Sequence, residues 1–81
     1  MQPQPFHTLD GVLLRVGMEV WVHEKDFDQI RSHIISLISD DGRKVWYVDP
    51  DLDGYVGSRV DGIFSKYELA EAQQRAWRAA R

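Results

Sequence analysis

Residues 30–48, IRSHIISLISDDGRKVWYV, are compatible with two local structures, and the rest of the fold depends on which one forms. Read as a helix, the segment has apolar residues at helical spacing, namely Phe27, Ile30, Ile34, Leu37 and Ile38. Read as a hairpin, it has a two-residue turn at Asp41-Gly42, and apolar residues then face each other in three pairs: Ile38 with Val45, Leu37 with Trp46, and Ile35 with Val48. The β-branched residues favour the hairpin, so we predict strands, with a helix over 27–39 as the alternative.

The segments on either side of this hairpin also have the period of two that is typical of strands. In MEVWVH, residues 18–23, one face has Met18, Val20 and Val22, and the other has Glu19, Trp21 and His23. We predict a short strand in VLLRV before it, with a bend at Gly17 between the two. YVGSRV, residues 55–60, is predicted to form a further short strand.

The C-terminal segment FSKYELAEAQQRAWRAAR, residues 64–81, predicts an α-helix. Ser65 and Glu68 have the spacing of a capping box, and Phe64 and Leu69 that of a hydrophobic staple. Glu71 and Arg75 form a favourable i,i+4 pair. We expect the helix to pack on the sheet through Trp77 and one further set of residues, Leu69, Ala72, Gln73, Ala76 and Ala80.

These elements together predict the α+β class. We expect a small bent antiparallel β-sheet or SH3-like barrel of about five short strands with one C-terminal α-helix. Residues 1–9 contain two prolines and are predicted to be a flexible tail, from which Phe6 docks on the body. Residues 10–81 are predicted to form a single small domain.

Two stretches carry a resemblance to a known group of proteins. DGVLLRVGMEVWV, residues 10–22, resembles the opening of many small proteins encoded by phages and mobile elements, and IFSKYELAEA, residues 63–72, resembles their usual ending. Those proteins resemble small SH3-like barrels. Most of them have no assigned activity and some bind host proteins, so the resemblance implies binding to a host protein as one function, and it implies no particular functional residues.

Composition limits the classes of function. The chain has no cysteine, which excludes thiolate catalysis and zinc–thiolate clusters, and it has no apolar run of the roughly 18 residues that span a membrane. The formal net charge of −3 argues against nucleic acid as a partner, and the charge is uneven, with a balance of −5 over residues 1–64 and of +2 over residues 65–81. We expect a cytoplasmic protein that is not associated with a membrane.

The segment DPDLDG, residues 49–54, is the one candidate metal site. Asp49, Asp51 and Asp53 stand at alternate positions before a glycine, as oxygen ligands do at the start of many calcium loops. The twelfth position of such a loop requires a bidentate glutamate, but Val60 occupies it here. An acidic turn between two strands is therefore the favoured interpretation, and calcium binding is the alternative.

No set of residues predicts catalysis. The histidines His7, His23 and His33 follow no metal-binding spacing, and we expect those on strands to face solvent. No serine lies in a nucleophile elbow, and no glycine-rich phosphate loop is present. We therefore predict a protein that is not an enzyme and uses no cofactor.

The remaining feature is the combination of aromatic and acidic residues, which is common at protein-binding surfaces. We predict a non-catalytic module that binds a protein partner. The resemblance adds the expectation that it is a phage or mobile-element protein that acts on a host factor. The candidate partner-binding residues are Trp21, Trp46, Tyr47, Asp49, Asp51 and Asp53. Two alternatives stay open: Trp21 packs beneath the helix instead of binding a partner, and the chain associates with itself into a homo-oligomer.

Overall fold

The computed structural model describes residues 4–49 and 53–81, which form one antiparallel sheet and one helix. The strands are β1 (Glu19–Glu24), β2 (Gln29–Ile38), β3 (Lys44–Asp49), β4 (Gly54–Arg59) and β5 (Ile63–Phe64). A 3₁₀ turn (Val60–Gly62) precedes β5, and the helix α1 (Tyr67–Ala79) follows it. The strand order is β4-β3-β2-β1-β5. The predicted α+β class and bent antiparallel sheet are confirmed, and the sheet is open rather than closed into a barrel.

The hairpin prediction for residues 30–48 is confirmed, and the helix alternative is wrong. Ile38 pairs with Val45 and Leu37 with Trp46, as predicted. Ile35, however, pairs with Tyr47 instead of Val48, because a β-bulge interrupts the register between Ile35 and Leu37. A bulge bends its strand and increases the local twist. β2 therefore pairs with β1 along its first part and with β3 along its last part.

The bend gives the sheet an inner face, on which the hydrophobic core lies. The inner-face residues that are buried come from four strands: Val20, Val22, Ile35, Val45, Tyr47 and Ile63. Leu14, from the segment before β1, and Val60, from the 3₁₀ turn, complete the same cluster. The core is thus formed without the helix, which packs on the opposite, outer face of the sheet.

The N-terminal segment is bonded to the body from Phe6 onward. The Phe6 amide donates to the Gly42 carbonyl at 2.7 Å, the Leu9 amide donates to the Ile63 carbonyl at 3.0 Å, and Thr8 is buried. The ring of Phe6 covers Gly42, so the predicted docking of Phe6 is confirmed. Residues 1–3 lie outside the described residues, and the flexibility of residues 1–9 stays a prediction.

The predicted strand in VLLRV is wrong, because in that segment only Leu13 forms a bridge, to His7. The predicted bend at Gly17 is present, with a φ of 93° that favours glycine.

The prediction that the strand histidines face solvent is wrong, because His23 and His33 are both buried.

The helix begins at Tyr67, one residue later than a cap at Ser65 would give, and no side chain caps it at Lys66. Ser65 bonds to Asp10 instead: its amide donates to Asp10 Oδ1 at 2.9 Å and its hydroxyl donates to Asp10 Oδ2. The capping-box prediction is therefore wrong. The two hydrogen bonds to an ionised carboxylate are stronger than bonds between neutral groups, and they hold Ser65 outside the helix.

The buried face of the helix is rotated from the predicted one. Ala70 is fully buried, Gln73, Gln74 and Trp77 are half-buried, and the predicted contacts Leu69, Ala76 and Ala80 are exposed. Trp77 packs edge-on against His23, with ring centroids 5.1 Å apart, so its predicted role as an anchor is observed. The predicted pair of Glu71 and Arg75 is also present, at 2.5 Å.

Asp28, in the turn between β1 and β2, joins that turn to the helix. It has a φ of 50° and accepts hydrogen bonds from His23 Nε2 at 2.9 Å, from Gln74 Nε2 at 3.1 Å, and from Arg78 Nε at 2.6 Å. The hydrogen bond from His23, with those from Arg78 and Gln74, lowers the pKa of Asp28 to about 2. The position of the β1–β2 turn thus depends on one carboxylate.

The pKa of Asp28 in the folded state lies below its ordinary value of 3.8. The ionised carboxylate therefore stabilises the fold fully above about pH 4, and this stabilisation is lost as the pH falls toward 2. We expect Asp28→Asn, which keeps the left-handed backbone accessible, to lower the melting temperature at pH 6. The difference from the wild type should shrink steadily between pH 4 and pH 2. Asp26→Asn, at an exposed position in the same turn, is the control and should show no such convergence.

Candidate functional site

The inner face of the sheet carries a cavity of about 530 Å³, which is within the usual range for binding sites of roughly 300–1,000 Å³. Its floor is apolar and comes from three strands, with Val22, Tyr47 and Val56. Its polar wall includes Glu24, Arg31, Asp49 and Ser58, and the turn between β1 and β2 contributes residues 25–27 to its rim. The cavity lies beyond the hydrophobic core, toward the Asp49 end of β3.

The polar wall contains two carboxylates on either side of one guanidinium. Arg31 Nη1 lies 3.5 Å from Glu24 Oε1 and 3.9 Å from Asp49 Oδ1. Within the described part of the chain, the buried Oε1 atom of Glu24 has no hydrogen-bond partner. These three side chains together carry one net negative charge, and this charge faces a partly desolvated space.

Below this wall, an aromatic stack fixes the floor. The ring of Tyr47 is parallel to the imidazole of His33, with centroids 3.9 Å apart and 14° between the planes. The Tyr47 hydroxyl forms a 2.6 Å hydrogen bond with the Ser58 hydroxyl. Burial lowers the pKa of His33, although the nearby Glu24 and Asp49 favour its charged form, and burial raises the pKa of Tyr47. Both rings are therefore uncharged near neutral pH.

Phe27 lies at the tip of the β1–β2 turn and is 73% exposed, the largest exposure among the large apolar side chains of the described residues. It also lines the cavity. The bonds of Asp28 to the helix hold the neighbouring backbone in place. A large, positioned and solvent-exposed aromatic ring therefore stands at the mouth of an acidic cavity.

The predicted partner-binding residues are divided between the two faces of the sheet. Tyr47 and Asp49 are buried and line the inner-face cavity. Trp21 and Trp46 point to the outer face, where Trp21 packs edge-on against Tyr67 of the helix, with centroids 5.4 Å apart. Trp21 thus packs beneath the helix, which was the alternative. The described members of the predicted set do not form one continuous surface.

The predicted calcium ligands are only partly described. Asp49 ends β3 and pairs with Gly54 of β4, so DPDLDG is the connection of a hairpin. Asp53 is exposed and has a φ of 50°, and Asp51 lies outside the described residues. Among residues 4–49 and 53–81, no group of three or more histidine or acidic side chains could hold a metal ion.

Most of the cavity residues, including Glu24, Phe27, Arg31 and Ser58, have no binding role that the sequence alone predicts. A signal for Glu24 was present, because it continues the alternation of Val20 and Val22 and therefore belongs to the core-facing side of β1. A charged residue at such a position is a candidate for a site, since buried carboxylates are otherwise costly. The remaining residues depend on cross-strand register.

In the part of the chain that the structure describes, no helix has both the length and the apolar character needed to cross a membrane. Comparison with protein-family models, curated proteins and solved structures found no match for this chain.

Proposed function

We propose that this domain is a non-catalytic module that binds a protein partner, and that its inner-face cavity receives a positively charged side chain of that partner. The observation that carries this proposal is an apolar floor beside the buried Oε1 atom of Glu24, which lies 3.5 Å from Arg31 Nη1 but accepts no hydrogen bond from any described residue. A lysine or arginine side chain has the matching form, with an apolar stem and a cationic end.

The geometry of the cavity fits such a side chain in a specific way. The stem lies on Val22 and Val56, and the cationic group reaches Glu24 beside Arg31. Hydrogen bonds between ionised groups are roughly twice as strong as neutral ones, and desolvation in the cavity strengthens them further. The incoming charge also offsets the net negative charge of the wall.

Phe27 adds a second contact at the rim. Aromatic side chains are enriched among the residues that dominate binding energy, and an aromatic ring within about 6 Å also attracts a cation. The ring is available to a partner, because it is exposed at the tip of a turn that Asp28 positions. The resemblance to phage and mobile-element proteins adds a host protein as the source of the partner.

The absence of catalysis in this proposal rests on the chemistry of the cavity. The Tyr47 hydroxyl is bonded to Ser58, and its raised pKa disfavours the phenolate that could act as a nucleophile or base. Recognition requires only that Glu24 and its neighbours hold their positions.

The test uses a small probe, N-acetyl-arginine amide, titrated into ¹⁵N-labelled protein while the amide chemical shifts are followed. We expect saturable shifts at Val22, Glu24, Arg31 and Val56. We expect Glu24→Gln to weaken binding by about tenfold to a hundredfold, because it removes a charge-assisted hydrogen bond worth about 1.5–3 kcal/mol. The matched control is Glu71→Gln on the helix, which should bind the probe as the wild type does.

N-acetyl-citrulline amide, which has the same shape without the charge, is the second control and should produce no saturable shifts in the cavity. Equal binding of the two probes, or shifts confined to other surfaces, would contradict the proposal. A partner captured from the source cell should be lost with Glu24→Gln and with Phe27→Ala, but retained with Glu71→Gln.

A further inference from the structure

The outer face of the sheet is covered only in part. The helix packs over the β1 and β5 side, where it contacts Trp21 and His23. The rest of that face carries five large apolar residues that the helix leaves uncovered, and we call them the open outer face: Ile34, Leu37, Trp46, Val48 and Tyr55. Four are between 51% and 67% exposed, and Trp46 is half-buried.

These residues form one continuous patch. Leu37 pairs with Trp46 across β2 and β3, and Val48 pairs with Tyr55 across β3 and β4. Trp46 and Val48 are two apart on the same strand and so share a face, and Ile34 lines a shallow depression together with Val48. Monomeric proteins seldom expose apolar patches of this kind, except where another surface binds.

The covered half of the same face shows what such a surface requires. There, the helix adds a second layer, with Ala70 fully buried and Tyr67 and Trp77 against the sheet. The domain measures 34 × 33 × 17 Å. Layers of secondary structure pack about 10 Å apart, so the shortest dimension has room for little more than the sheet and one further layer. Over β3 and β4, the outer face lacks that second layer.

We propose that a second copy of this chain supplies the missing layer, with the open outer faces of the two copies packed together about a two-fold axis. An apolar patch is complementary to itself, as an isologous interface requires. The inner-face cavity would stay accessible in this dimer, so the inference does not depend on the proposed function.

The charges at the ends of β3 and β4 determine the orientation of the two copies. Lys44 lies at one end of this strand pair, opposite Arg59, and Asp53 lies next to the other end. A two-fold axis that crosses the strands in the plane of the interface places Lys44 of each copy over Asp53 of the other. Arg59 is ion-paired with Asp61 of its own chain at 3.3 Å, whereas the ammonium group of Lys44 lies 5.3 Å from the centre of the Trp46 ring, on the open outer face itself, so we assign the contact to Lys44.

The interface would occupy a modest share of the surface of each copy. A stable interface buries roughly 800 Å² on each partner, which is about a seventh of the 5450 Å² accessible surface of this domain. An apolar centre within a charged rim is also the usual composition of such an interface. The open outer face has this composition, with Lys44 and Asp53 at its two ends.

Sedimentation equilibrium from about 10 μM to 1 mM would measure the association, and we expect a reversible dimer, in line with the affinities of small interfaces. Val48→Glu should raise the dissociation constant at least about a hundredfold, because it buries two unpaired carboxylates in the dimer. Ala76→Glu, at an exposed position on the helix, is the control and should dimerise as the wild type does. Circular dichroism would verify that each variant is folded.

A charge exchange tests the orientation without burying a charge. Lys44→Asp and Asp53→Lys should each weaken the dimer by roughly three- to tenfold, and the double variant should restore it. Within one chain, these residues are separated by the length of β3, roughly 17 Å at about 3.4 Å per residue, so rescue requires contact between copies. A monomer at 1 mM, a dimer that tolerates Val48→Glu, or a failure of the rescue would each overturn the proposal.

Discussion

Tyr47→Ala is expected to lower the free energy of unfolding by about 3–5 kcal/mol, as removal of a buried aromatic ring usually does. Tyr47 is 2% exposed and belongs both to the hydrophobic core and to the floor of the cavity. Its loss removes the stacking on His33 and leaves a void among the core residues of three strands. Because a domain of this size has a total stability of about 4–12 kcal/mol, this loss should remove a large part of it.

Urea denaturation followed by circular dichroism would measure this loss, and Tyr47→Phe is the matched control. The phenylalanine keeps the ring and removes only the hydrogen bond to Ser58, so we expect a cost of about 0.5–1.5 kcal/mol. Ser58→Ala should cost a similar amount, and the double variant should cost little more than either one. A loss below about 1 kcal/mol for Tyr47→Ala would mean that the ring is not part of the core.

Gly42→Ala is expected to lower the free energy of unfolding by about 2–3 kcal/mol, through two separable effects. The first is backbone strain, because Gly42 has a φ of 70°, where a Cβ costs roughly 1–2 kcal/mol. The second is steric, because the new Cβ would lie 2.3 Å from Cδ2 of Phe6 and would displace the ring. Thermal unfolding would measure the sum.

Two other glycines separate these effects. Gly17 has a φ of 93°, and no neighbouring atom lies within 4 Å of the place where an alanine Cβ would stand, so Gly17→Ala should show the strain alone. Gly62→Ala has neither effect and should be nearly neutral. In a Phe6→Ala background, Gly42→Ala should cost only its strain. The same full cost with and without Phe6 would show that the ring does not pack on Gly42 in solution.

The elements of the fold that depend on local pattern could be predicted from the sequence. The Asp41-Gly42 turn and the alternation on both sides of it were sufficient to identify β2 and β3 and their first two pairs. The bulge after Ile35 could not be predicted, because no local feature of IISLI requires it. The prediction of the helix cap was wrong because it used local sequence alone. The partner of Ser65 is Asp10, which is 55 residues away in the chain.

The candidate site was less predictable, because in the first half of β2 the hydropathy of the side chains does not indicate which of them face the core. Ile34 is 53% exposed and His33 is buried, the opposite of what their side chains favour. The register with β1, which pairs Val20 with His33, places the histidine on the inner face. The pairing of neighbouring strands thus overrides the preference of single residues, both in the cavity and on the open outer face.

The bonds of the N-terminal segment also have a consequence for synthesis on the ribosome. Residues 6–10 emerge early, but their acceptors and donors include Ile63 and Ser65, which are translated more than 50 residues later. At about 5–20 residues per second, the early segment waits several seconds for its last partners. The nascent chain can form its central hairpin during this interval, but it cannot close the domain until β5 has left the exit tunnel.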